Sequence, residues 1–264
     1  VFGDLRKTWL EVALRGGSVD AVIDTGVSCA MAGAAILQVH AADVASYARI
    51  IEGIRGEIDA IVYPAPQAGE SALPVIDELA RLGLIEWMPI IPGSANLATY
   101  DALRDDRPGT VLLNPEMQIR EALRLARRHA LHPAYAIHEP GFIRLGATLY
   151  WRESPPAPLY RFLFSGDSTF SFPAEDYGLT AYLKLLDQVA PGAQWMVAGC
   201  GADILPLVPR VVAEGGHVQV GFSDTGDSAQ REIERAEQAA QAIRDCGGEL
   251  AAAREVRAAL SPEE

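Results

Sequence analysis

The sequence predicts a (β/α)8 barrel, an α/β fold with a closed parallel sheet. Three observations carry that expectation: short apolar runs alternate with longer amphipathic ones from end to end, eight such runs can be counted, and the Gly, Pro and small polar clusters fall between a run and the helical pattern after it. A chain of 264 residues with 49% hydrophobic side chains buries one core of this size, so residues 1–264 read as one barrel domain.

The expected strands are Trp9–Leu14, Ile36–His40, Ala60–Tyr63, Trp87–Ile91, Ala134–His138, Tyr160–Phe164, Gln194–Ala198 and His217–Phe222. Each is four to six residues long and rich in Val, Ile, aromatic or Ala side chains, as strands covered on both faces are. Helical periodicity follows each strand and is clearest over Ser71–Leu82, Glu116–His129, Ala174–Val189, Ile204–Glu214 and Ala229–Cys246. Pro64, Pro66 and Gly69, then Pro92, Gly93 and Ser94, then Gly166, Asp167 and Ser168, then Gly199 and Gly201 mark strand-to-helix loops. In a barrel these loops form the face where active sites are built. The Ala-rich tail from Ala251 is expected to fray after Leu260.

Charge and cysteine usage exclude several classes. A net charge of -13 without a Lys or Arg run repels nucleic acid and anionic membranes. Cys29, Cys200 and Cys246 are too far apart for a zinc knuckle or a disulfide framework, and no stretch is apolar enough to span a membrane, so a cytoplasmic address is expected.

Five segments, in order, resemble strands of the β-keto acid cleavage enzymes, the family of 3-keto-5-aminohexanoate cleavage enzyme. They are EVALRGG (Glu11–Gly17), AGAAILQVH (Ala32–His40), PAYAIHEPG (Pro133–Gly141), WMVAGCG (Trp195–Gly201) and GGHVQVGFSD (Gly215–Asp224). The resemblance implies a zinc-dependent reaction of a β-keto acid with acetyl-CoA that gives acetoacetate and a new acyl-CoA. It implies a homo-oligomer, and zinc held by two histidines on strand two and a glutamate at the end of strand eight. Alternate residues of a strand face the same way, so an i, i+2 pair at a barrel mouth aims two side chains at one point. Here the three positions are Gln38, His40 and Ser223, and an amide with a hydroxyl replaces neither imidazole nor carboxylate, so zinc is expected to be weakly held or absent.

Further family positions differ. The strand-eight arginine falls on Gln219, the strand-five acid on Ala136, the strand-one glutamate on Ser18, and the substrate-holding Ser-Thr-Gly-Gly stretch on Tyr63, Pro64, Ala65 and Pro66. Ala202 and Asp203 stand where a basic residue follows the strand-seven turn. The expected site is therefore His40 and Asp224 as acid/base candidates, with Tyr63, Ser94, Asn96 and His138 as substrate contacts. His40 reads equally as a hydrogen-bonded mouth residue. By parity His138 points inward above Ala134 and Ala136, and either joins a rewired site or fills the space left by the absent acid. Glu11 and Arg15 share parity and can pair, inside the barrel or at its surface. Asp167, Ser168 and Thr169 read as an ordinary polar turn, Cys200 as a small buried residue, and His217, at the opposite end of strand eight, as structural. Two functions stay open: a divergent enzyme acting on a small keto acid or acyl compound, and a non-catalytic barrel binding a small molecule or partner subunit.

Overall fold

A computed structural model describes residues 7–14, 17–66, 72–221 and 229–261. Eight parallel strands form a nearly closed barrel: β1 (Leu10–Ala13), β2 (Ile36–Val39), β3 (Ile61–Pro64), β4 (Trp87–Ile90), β7 (His132–Ile137), β8 (Leu159–Ser165), β9 (Gln194–Cys200) and β10 (His217–Gly221). All eight coincide with expected strands. They hydrogen-bond in the order β3-β2-β1-β10-β9-β8-β7-β4. The ladder's two end strands, β3 and β4, lie side by side without pairing. Pro64 and Pro89 have no N–H to offer across that seam, which is where prolines are tolerated in sheets.

Helices return the chain between strands. Ser18 starts α1 (Val19–Ala32), its Oγ accepting from the Ala21 N–H at 3.2 Å. Asp43 caps α2 (Val44–Glu57) by accepting from the Ser46 N–H at 2.8 Å, and that hydrogen bond holds its carboxyl below the usual range. The further helices are α3 (Ala72–Arg81), α5 (Glu116–Arg128), α6 (Pro140–Glu153), α7 (Asp176–Val189), α8 (Val208–Ala213) and α9 (Ala229–Asp245). The helix expected over 204–214 begins as a 3-10 turn at Leu205–Leu207, where Pro206 and Pro209 interrupt the N–H ladder.

Strand parity divides the core. Val12, Leu37, Val62, Tyr135, Phe162, Val197 and Val220 face the helices in one buried cluster. Trp9, Ile36, Ile61, Trp87, Ala134, Leu159 and Met196 point inward at the N-terminal end of the barrel in a second. That lower layer is closed by α10 (Ala253–Leu260), whose Ala253, Val256 and Leu260 belong to the same cluster. The tail therefore continues as a docked helix up to Leu260. Arg257 fixes its orientation through Glu86, at 2.6 and 3.1 Å, and Asp59, at 2.9 Å. His217 completes this layer: its ring stacks on Trp9 at 3.9 Å, Nδ1 accepts from the Trp9 N–H, and Nε2 meets Gln194 Oε1, each at 3.1 Å. Accepting at Nδ1 places the proton on Nε2, so His217 is held as a neutral structural ring.

One excursion was not expected. After β4 the chain forms a small antiparallel pair, β5 (Ala95–Leu97) and β6 (Thr110–Leu112), joined through α4 (Tyr100–Arg104). It is clasped to the loop after β8, where the Tyr100 N–H donates to the Asp167 carbonyl and the Thr169 N–H to the Ala98 carbonyl, both at 2.9 Å.

Candidate active site

Above the lower apolar layer, the barrel carries a layer of polar side chains. Glu11, Gln38, Tyr63, Arg161 and Gln219 are all buried, with Glu11 and Tyr63 fully enclosed. The register explains the meeting: Glu11 pairs with Gln219, Gln38 with Tyr63, and Arg161 lies opposite Ala136. Arg161 Nη2 donates to both carboxylate oxygens of Glu11, at 2.9 and 2.8 Å, and to the Tyr63 hydroxyl. That hydroxyl donates to Glu11 Oε1 at 2.8 Å and accepts from Gln38 Nε2 at 3.0 Å. Gln219 Nε2 donates to Glu11 Oε1 at 2.7 Å and, more weakly, to Gln38 Oε1 at 3.5 Å.

Such a pair survives burial only because each charge has its opposite and further donors at hydrogen-bond distance. Burial alone would lower the Arg161 pKa, but Glu11 and Tyr63 outweigh it and raise it. Tyr63 is pushed well above its ordinary value, chiefly by burial. Arg161 still has capacity. Nη2 is engaged, whereas among the described residues Nε is enclosed without a partner and Nη1 makes no hydrogen bond.

This layer floors a cavity of about 290 Å³ at the C-terminal mouth. Its walls come from Ala136, Leu163 and Cys200, its cover from Leu97 and Leu112 of the excursion, and its polar groups from Gln38, His40, His138, Arg161 and Gln219. His138 sits one inward step above Ala136, beside Arg161's strand, with Phe170 and Phe142 ring centroids at 5.5 and 6.2 Å. Its Nδ1 is buried and has no hydrogen-bond partner among the described residues. Burial lowers its pKa to about 4 and holds that of His40 below its ordinary value, so both rings are neutral at neutral pH.

The expected site residues separate accordingly. His40 and His138 line the cavity. Tyr63 is not part of that lining: it is fully buried, and its hydroxyl bonds Glu11, Gln38 and Arg161. Ser94 and Asn96 are not brought to it either. The exposed Ser94 Oγ accepts from the Asn114 N–H at 2.8 Å, and Asn96, next to the cavity-lining Leu97, is exposed on the other face of β5. Glu11 pairs with Arg161, because β1 turns it inward toward β8. Arg15, Ser223 and Asp224 lie outside the described residues. Asp203 pairs with Arg235 at 3.6 Å, so the turn after β9 presents a carboxylate already engaged.

Arg161 is the site residue that sequence reading missed. Its signal was a single charge at an inward position of the otherwise apolar run LYRFLFS. For zinc, Gln38 offers an amide whose two ends already bond Tyr63 and Gln219, and the described residues contain no cluster of three His, Cys, Asp or Glu side chains placed for a metal. The donor set at the inherited position does not fit the ion.

Comparison with known proteins agrees with this architecture. A sequence model described as beta-keto acid cleavage enzyme matches residues 18–261. A 3-keto-5-aminohexanoate cleavage enzyme of Fusobacterium nucleatum subsp. nucleatum is 23% identical over 258 residues, covering 92% of this chain and 89% of that one. Among solved structures, apo ObcA superposes with a TM-score of 0.66 at 13% identity, over 92% of this chain and 64% of its own. A truncated 3-deoxy-D-arabino-heptulosonate 7-phosphate synthase from Thermotoga maritima gives 0.59 at 11% identity, over 93% and 90%. These structural likenesses speak to the fold alone.

Proposed function

Because the chain belongs to the beta-keto acid cleavage enzyme family, we propose that it breaks the central carbon–carbon bond of a β-keto acid or related β-dicarbonyl compound in the barrel-mouth cavity, by acid–base chemistry without zinc at the inherited position. One observation carries the reading. Among the described residues Arg161 Nη1 makes no hydrogen bond and the buried His138 Nδ1 has no partner, and both side chains line one cavity. Buried polar groups without partners are expensive and concentrate where a ligand completes them.

The chemistry follows from those two groups. Arg161 Nη1 donates to a substrate carbonyl oxygen and draws charge onto it. Neutral His138 takes a proton from an attacking water as its oxygen bonds to the carbonyl carbon. Collapse of the adduct breaks the bond to the central carbon, which recovers the proton from the imidazolium. A carboxylic acid and a shortened carbonyl compound or acid result, and atoms balance with water alone. His40, neutral and on the facing part of the wall, is the second proton carrier. We assign no step to acetyl-CoA, since Asp203 stands where the family places a cation.

The test is product formation from a panel of β-keto acids and β-diketones, with and without acetyl-CoA, on protein whose metal content has been measured. Turnover lost in His138→Gln and in Arg161→Met supports the reading. Binding without turnover would favour a non-catalytic barrel instead, and turnover that needs zinc would refute the metal-free site.

A further inference from the structure

Resting on the reading of this cavity as the substrate site, we infer that it selects an uncharged β-dicarbonyl compound, a β-diketone or β-keto amide, over the anion of a β-keto acid. Among the described residues, Arg161 is the one lining side chain with a permanent charge, and that charge is already cancelled. Both oxygens of the fully buried Glu11 carboxylate accept from its Nη2, and among the described residues Glu11 has no other cation within ion-pair distance. The floor is thus a neutral ion pair whose Arg161 Nη1 is still free to donate among the described residues.

The other groups add no positive charge. His40 and His138 are held neutral by burial. At the rim, the Asp167 carboxylate packs against Gly201, the residue after the lining Cys200, with Oδ1 2.8 Å from where a Cβ would stand. Inside, an incoming anion would give up its water for a site with net charge zero and walls of Ile91, Leu97, Leu112 and Leu163. An unpaired ion in such a place is disfavoured whatever hydrogen bonds it makes.

The experiment is isothermal titration of the full chain at pH 7.5 with acetylacetone, acetoacetamide and acetoacetate. At least one uncharged probe is expected to bind at least tenfold more tightly than acetoacetate. Glu11→Gln keeps shape and most hydrogen bonds but frees the Arg161 charge, and should move the ratio toward acetoacetate by tenfold or more. If that variant does not fold, the wild-type ratio decides alone. Equal or tighter binding of acetoacetate by the wild type overturns the inference while leaving the cavity as the site. Binding of none of the three overturns the inference together with the reading of the cavity.

Discussion

Arg161→Met removes one half of the buried ion pair and leaves the Glu11 carboxylate, fully enclosed, with only the Tyr63 hydroxyl and the Gln219 amide as donors. Breaking a buried pair from one side costs about 3–5 kcal/mol, because the remaining charge keeps its desolvation penalty and loses its counter-ion. With about 2.1 cal/mol/K of unfolding entropy per residue, the chain has roughly 0.55 kcal/mol/K, so the variant should melt about 5–9 °C below wild type. The assay is urea and thermal unfolding, followed by circular dichroism and by tryptophan fluorescence, to which Trp9 and Trp87 in the lower layer contribute. The double variant Glu11→Gln, Arg161→Met restores neutrality, and the amide introduced at position 11 can still hydrogen-bond Tyr63 and Gln219. It should recover most of the loss, since a neutral replacement of a whole buried pair is often nearly neutral in stability. A single variant within about 1 kcal/mol of wild type, or a double variant no better than the single, would show that the pair is not the coupled charge unit described here.

Other predictions follow from particular contacts. His138 has a folded pKa of about 4, below its ordinary value, so the unfolded chain binds the extra proton first as pH falls through the ordinary histidine range. The stability this neutral ring retains above pH 6.5 should therefore fall away between there and about pH 4, by up to about 3 kcal/mol, and His138→Gln should lose that share of the slope in unfolding measured across this window. Leu260→Ala, at a buried position of the helix that closes the lower layer, should cost about 2–4 kcal/mol by denaturant titration. Gly221→Ala should fail to fold normally, because the residue has a φ of 99° and its Cβ would lie 2.4 Å from the Ala13 carbonyl oxygen; expression and circular dichroism decide this. Gln38→His with Ser223→Glu should raise zinc content toward one per chain in elemental analysis, since parity already aims residues 38 and 40 at one mouth.

The barrel was legible because its signal is local. Each strand is a short apolar run whose neighbours in sequence supply the loop and the helix, and the inward parity of Gln38, His40 and His138 needed no more than counting by two. Arg161 was not legible, because its meaning depends on Glu11, 150 positions away, and no periodicity announces a partner at that distance. Tyr63 was placed on its strand, but not in the network that buries it. Its hydroxyl is turned into the buried network with Glu11, Gln38 and Arg161, off the cavity lining. Ser94 and Asn96 were expected as substrate contacts, whereas their loop opens into a strand whose alternation turns Leu97 inward and Asn96 out. The excursion itself has strands of three residues among Pro and Gly, too short to show a pattern. The terminal helix is Ala-rich, and its order comes from docking under Trp9 and Trp87, a tertiary contact that propensity does not report.

The central claim, that this cavity cleaves a β-dicarbonyl bond by its own acid–base groups, is tested most directly by following acetate release from acetylacetone and acetoacetate by proton NMR. The protein is dialysed against a chelator and its zinc content is measured on the same sample. The account predicts the same rate of acetate formation before and after chelation, and its loss in His138→Gln. A rate that disappears with the metal, and returns in proportion to zinc added back, would contradict it.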